Sequence, residues 1–188
     1  MLVLSLFLYT FGLIITLGSA VMAALNDLRV FKIPNYLSLL ALFGFAAAYA
    51  GLVLLPGDSY PLLGSWQSHV ASGAAMFVIT LILFVTGSIG AGDAKFASAL
   101  AVWTGIAALP AFVFCMTLIG GLMGIYTLIL KRLKPFSSPR EGGWIASAQA
   151  GQNKIPYGLA IAAGFFIACA LSGFFNITEI INSVENSR

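Results

Sequence analysis

Long apolar runs, each closed by a short polar punctuation, set the pattern of the chain. None alternates apolar and polar residues as a half-buried strand would. Each is close to the roughly 20 apolar residues that carry a helix across a bilayer. Six spans are expected, over residues 2–25, 33–55, 69–88, 94–109, 110–130 and 155–175. The division between the fourth and fifth is the least sharply marked. In "AVWTGIAALPAFVF" only Gly105 and Pro110 signal a turn, so one long kinked span competes with two. The run from 96 to 130 is longer than a single crossing needs, and this favours two. The expected fold is an all-α polytopic membrane protein, a single domain over residues 1–188.

Charge sharpens this picture. Of 188 residues, 60% are hydrophobic and 8% are charged, against roughly 25% charged in an ordinary soluble domain. Too few polar side chains exist to cover a globule, so the solvent of the chain is lipid. Lysine and arginine collect on the cytoplasmic side of membrane proteins. Arg29 and Lys32 follow the first span, Lys95 follows the third, and Lys131, Arg132, Lys134, Arg140 and Lys154 lie between the fifth and sixth. With six crossings all of these share one side. Arg188, Asp58, Glu179 and Glu185 fall on the other, and both termini are expected to be extracytoplasmic. The net charge of +3 is therefore membrane asymmetry and not a nucleic-acid footprint. The first span reads as a retained helix, because its positive charges follow the apolar stretch, whereas a secretory signal carries them before it.

Three connections on the basic side carry the polar residues: "NDLRVFKIPN" (26–35), "GSIGAGDAK" (87–95) and the Ser-, Gly- and Pro-rich segment 131–154. The outer connection 56–68 holds turn formers and aromatics suited to the interface. "KIPN" opens the second span and "KIPY" the sixth. Proline in the first turn of a helix forfeits no hydrogen bond, so the echo reads either as two similarly begun helices or as a diverged internal repeat.

Candidate chemistry rests on carboxylates. Asp27 ends the first span and Asp93 opens the fourth, at the same depth on the basic side; Glu141 is a third acid there, in the loop. Ionisable groups at the membrane boundary are costly and mark functional sites. A capping role competes for Asp93, at a helix start. It suits Asp27 poorly, since the C-terminal end of a helix disfavours negative charge. Other chemistries find no material. His69, the one histidine, lies at the opposite edge. Cys115 and Cys169 sit within spans and form no Cys-x-x-Cys pair. No metal-ligand cluster and no phosphate-binding glycine loop is present, and no metal or cofactor is expected. Two aspartates suffice for peptide hydrolysis: one takes a proton from water while the other, protonated, polarises the scissile carbonyl. Gly90 and Gly92 would then admit an extended substrate backbone beside Asp93, and Lys95 would set the local field, bind lipid phosphate or anchor the helix.

"GAGDAK" (90–95) resembles the Gly-x-Gly-Asp-x-Lys signature of the bacterial prepilin peptidases, membrane aspartic proteases that remove the leader of type IV pilin precursors. "DLRVFKIPN" is similar to that family's first aspartate with its following Ile-Pro-Asn, and "KIPYGLAIAAG" to a third family stretch. The resemblance implies that Asp27 and Asp93 are the catalytic pair. The implied substrates are prepilins and pilin-like precursors, with a short basic leader ending in glycine before a hydrophobic helix. Cleavage would occur at the cytoplasmic face of the bacterial inner membrane. By position Pro34, Asn35 and Pro156 would shape the entrance, and Glu141 would meet the leader. Larger members carry two Cys-x-x-Cys pairs in an N-terminal segment and methylate the new terminus; without these, no methyltransferase activity is expected. The size resembles the short branch serving Flp (tight-adherence) pili, and archaeal preflagellin peptidases are similarly short. A proton-coupled transporter and a non-catalytic subunit of a pilus or secretion machine are the competing classes. The transporter finds no acid at mid-membrane, where such sites lie.

Overall fold

The computed structural model describes residues 2–53 and 64–174. Most of the connection 56–68, with Asp58, and the C-terminal Glu179, Glu185 and Arg188 lie outside the described residues. Those described form helices α1 (Leu2–Val30), α2 (Asn35–Val53), α3 (Trp66–Val85), α4 (Ala91–Leu133), α5 (Trp144–Gln149) and α6 (Tyr157–Leu171), without a strand among them. α1 to α4 are long and apolar enough to cross a membrane, and α6 is a shorter apolar helix. Val3, Ile14, Val78, Ile82, Phe114 and Ile125 stand exposed on the outside of the bundle. Water would penalise such a surface and lipid does not, so the chain is a multi-pass membrane protein.

α4 is 43 residues long, roughly 65 Å if it were straight, about twice a hydrocarbon core of about 30 Å. It is not straight. Gly105 has φ 61° and ψ 172°, a backbone region that is essentially glycine-only, and the helix breaks there into segments 91–104 and 106–133. The first segment runs antiparallel to α3: Thr80 lies by Ala94 and Ser98, and His69 by Val102. The second runs antiparallel to α6, with Phe112 on Phe165 and Gly164 against Met116. The two-span reading of 94–130 therefore agrees with the backbone, the turn falling at Gly105 and not at Pro110, which stays helical.

Close approach of helices relies on small residues, as is usual where lipid surrounds the bundle. A Cβ on Gly12 would strike the Gly44 carbonyl, and one on Gly51 would lie 2.8 Å from the Ser5 carbonyl, so α1 and α2 pack backbone to backbone. Trp103 donates its Nε1–H to the Ala41 carbonyl at 3.1 Å, tying 91–104 to α2. Tyr9 donates its hydroxyl to Phe174 at 3.1 Å, tying α1 to the end of α6.

Two element ends differ from the expectation in ways that move the site. α1 runs to Val30, so Asp27 lies inside its last turn. The turn closes with Phe31 N–H on the Asp27 carbonyl at 3.0 Å, Phe31 itself being left-handed with φ 52°. The segment 131–154 is also more ordered than a Ser/Gly/Pro-rich loop suggests. Trp144 of α5 donates to Thr127 Oγ1 at 2.9 Å, and the Gln149 amide pairs with both backbone groups of Phe136.

Candidate active site

Asp27 and Asp93 come from different helices and line one cleft of about 560 Å³ at the basic end of the bundle. Both are within reach because α1 ends, and α4 begins, at that end. The cleft's remaining walls are the α1–α2 connection (Phe31 to Asn35) and the start of α4, including Gly90, Gly92 and Lys95. Of the entrance residues expected from sequence, Pro34 and Asn35 therefore line the cleft. Pro156 does not; it precedes α6 by one residue, and its contribution is to start the helix whose next glycine touches Asp27. Glu141 is exposed in the loop and does not line the cleft.

Each carboxylate is held by a helix N-terminus. Asp93 is the third residue of α4, and its Oδ2 accepts the Gly90 N–H at 3.1 Å, the reach-back half of a capping box. Asp27, only 4% exposed, accepts the Gly158 N–H on Oδ2 at 2.6 Å. Gly158 is the second residue of α6, so the positive end of that helix faces a carboxylate from α1. This resolves the difficulty of a negative charge near the C-terminal end of α1: a different helix compensates it. Among the described residues neither aspartate makes a further hydrogen bond or ion pair, and no buried side-chain oxygen is left unsatisfied. The second oxygen of each is therefore left without a partner among the described residues, and both side chains line the cleft. The two make no hydrogen bond to one another. Lys95 points its ammonium at Asn35 Oδ1, 3.5 Å away, across the same cleft.

The residue that sequence reasoning missed is Ile33. It is buried, and it sits between the two glycines that flank the aspartates. A Cβ on Gly92 would lie 3.0 Å from the Ile33 carbonyl; one on Gly158 would lie 2.9 Å from Ile33 Cδ1 and 2.8 Å from Asp27 Cβ. A Cβ on Gly90 would lie 2.9 Å from Asp93 Oδ2. These glycines are thus required by the chain's own packing around the carboxylates, a reason separate from substrate approach. Gly158 was also missed, although "KIPYG" carried a signal: a glycine two residues after a helix-starting proline leaves an N–H reachable by a partner. Phe31 likewise lines the cleft, and the Lys154 ammonium lies 5.7 Å from its ring, which brings the segment 134–154 to the cleft's edge.

Chemically, the site offers two carboxylates, each with one oxygen anchored by a backbone N–H, and an ammonium, all lining one cleft. Comparison with known proteins gives a family model, described as the type IV leader peptidase family, matching residues 13–125. That stretch includes both aspartates and the whole of "GAGDAK". The chain is also 26% identical over 161 residues to the prepilin leader peptidase/N-methyltransferase of Bacillus subtilis (strain 168), covering 82% of this chain and 61% of that one. The chain thus spans about three-fifths of that curated relative's length. No solved structure matches it.

Proposed function

Since the chain belongs to the type IV leader peptidase family, we propose that it is a membrane-embedded aspartic endopeptidase that removes the leader peptide of type IV prepilins, with Asp27 and Asp93 as its catalytic pair. The observation that carries this reading is the pairing itself: two carboxylates from separate helices open into one cleft, each fixed through one oxygen by a backbone N–H. The ionised member takes a proton from a water lying between them while that water's oxygen attacks the scissile carbonyl carbon. The protonated member gives its proton to the carbonyl oxygen and so limits the charge that develops there. Collapse breaks the C–N bond, the amine nitrogen takes up the first carboxyl's proton, and the carbonyl re-forms as the second recovers its own. Gly90 and Gly92 leave room at the α4 start, and Lys95 and Asn35 bound the entrance.

The catalytic end faces the cytoplasm in this proposal, at the inner membrane. Supporting that side, Arg29, Lys32, Lys95, Lys131, Arg132, Lys134, Arg140 and Lys154 all cluster at the end of the bundle that holds the aspartates. The B. subtilis relative carries both peptidase and N-methyltransferase in its name; the proposal here concerns the peptidase activity, with small Flp-type precursors as the substrates to try first.

The competing reading, that each aspartate only caps a helix, draws on the same two hydrogen bonds. Asparagine separates them, because it still accepts a backbone N–H but cannot exchange the proton. Membranes carrying wild type, Asp27→Asn or Asp93→Asn are mixed with a prepilin, and leader removal is followed by mass. The expected outcome is a loss of about 1,000-fold or more for each variant, with unchanged membrane insertion. Near-wild-type cleavage by either variant would assign that aspartate to capping alone.

A further inference from the structure

Asp93 lines a second cavity that Asp27 does not reach. This slot, of about 360 Å³, lies between the end of α3, both segments of α4 and the start of α6. It descends from Asp93 and Gly124 toward Met116 and Ile161, deeper among the spans. Apart from Asp93 no charged residue lines it. Its threonine and serine hydroxyls are occupied: Thr80 and Thr117 each donate to the carbonyl four residues back, Met76 and Val113, at 2.8 Å, and Ser88 bonds Thr86. The slot therefore presents a largely apolar wall to anything that enters, with one carboxylate at its head and Tyr157 the remaining polar-tipped residue in its lining.

Three glycines of 106–133 line it, and they are not equivalent. A Cβ on Gly120 would lie 3.4 Å from the Tyr157 ring, and one on Gly124 3.3 Å from Ile155, so both are small to let α6 approach. A Cβ on Gly121 would meet nothing within 4 Å. Glycine inside a helix costs about 1 kcal/mol relative to alanine, and at Gly121 no contact with the described residues compensates. What the missing side chain leaves is open slot.

We infer that this slot is the specificity pocket of the peptidase, receiving a large apolar side chain of the precursor next to its scissile bond. The inference rests on the proposed function and adds the residues that read the substrate. Continuity supports it. The cleft and the slot share Asp93, and consecutive Cα atoms are 3.8 Å apart, so a peptide bond held at the aspartates delivers a neighbouring side chain to the slot's head. Size sets the limit on the occupant. The volume is at the lower end of the roughly 300–1,000 Å³ of ligand pockets, enough for large side chains and too little for a helix about 10 Å across.

The test uses the full chain in membranes and two sets of prepilin, carrying leucine or alanine at one or the other residue flanking the cut. The readout is the ratio of kcat/KM for leucine over alanine, which does not depend on how much enzyme is folded. Wild type is expected to favour leucine about 10-fold or more at one flanking position. Gly121→Leu, which fills the slot, is expected to bring that ratio close to one; Gly121→Ala, whose Cβ has free space, should reduce it part-way. A ratio that stays at the wild-type value in both variants overturns the inference and leaves the slot to a lipid chain or to nothing. A wild type that cuts leucine and alanine precursors equally overturns it too. If wild type cuts none of the precursors, or Asp93→Asn cuts them as well as wild type, the peptidase reading itself fails, a result separable from the other two.

Discussion

The two ends of the helix bundle treat buried polar groups in opposite ways. At the end near Gly105, His69 is fully buried, with Nδ1 2.6 Å from the Val102 carbonyl and its ring among Phe45 and Tyr49. Ser72 bonds Thr104 at 3.2 Å, and Ser68 Oγ accepts the Ile106 N–H at 3.0 Å, just past the backbone break. Every one of these groups is matched inside the chain, as lipid surroundings demand. At the other end Asp27 and Asp93 line one cleft, and each commits only one oxygen to a described partner. The first end is polar so that a tight turn can exist within the bundle. The second is polar beyond what its helices need, and that surplus is where chemistry belongs.

Short of changing the aspartates themselves, this contrast can be broken most severely at Gly158. Replacing it with alanine puts a Cβ 2.8 Å from Asp27 Cβ and 3.0 Å from its Oδ2. The carboxylate must shift, and a displacement near 1 Å can cost about 100-fold in rate. Gly158→Ala is therefore expected to cleave prepilin 10- to 100-fold more slowly, by about those factors, with a loss of stability of about 1–3 kcal/mol. Cleavage and detergent unfolding curves measure the two effects together. An unchanged rate would mean that the position of Asp27 does not matter to catalysis.

Gly105→Ala tests the opposite end. Its φ of 61° and ψ of 172° exclude a side chain without strain, and the added Cβ would lie 3.2 Å from Ser68 Oγ. Stability should fall by about 1–3 kcal/mol, while the turnover of the folded fraction stays at the wild-type value. A selective drop in turnover would show that the two ends are coupled. The smallest effect is expected for Ser68→Ala, which removes the acceptor for the Ile106 N–H: about 1 kcal/mol of stability, read from the same unfolding curves, and no change in cleavage.

Much of this division was legible in the chain and some was not. The spans could be read because apolar runs of bilayer length are a local signal. The break in 94–130 could be read because the run was too long for one crossing and held Gly105. The sequence also exposed Asp27 and Asp93 as carboxylates at matching depth, and "GAGDAK" joined them to a family. Illegible were the contacts that give those aspartates their environment. The bond from Gly158 to Asp27 joins residues 131 positions apart, and Ile33 meets Gly92 and Gly158 only once three helices are assembled. The left-handed Phe31 also eluded the sequence, since a phenylalanine gives no hint of positive φ. Asp27 looked misplaced on its own helix because its compensating charge belongs to another.

The central claim is that the two aspartates act as one unit, and a double-mutant cycle on cleavage tests it most directly. Rates of prepilin processing are measured for wild type, Asp27→Asn, Asp93→Asn and the double variant in the same membranes, each normalised to inserted protein. Groups that share one chemical step are strongly non-additive. The account predicts that each single change removes about 1,000-fold or more of the rate and that the double variant is no slower than the worse single one. Losses that multiply, as for independent sites, or a single variant that cleaves at near the wild-type rate, would contradict it.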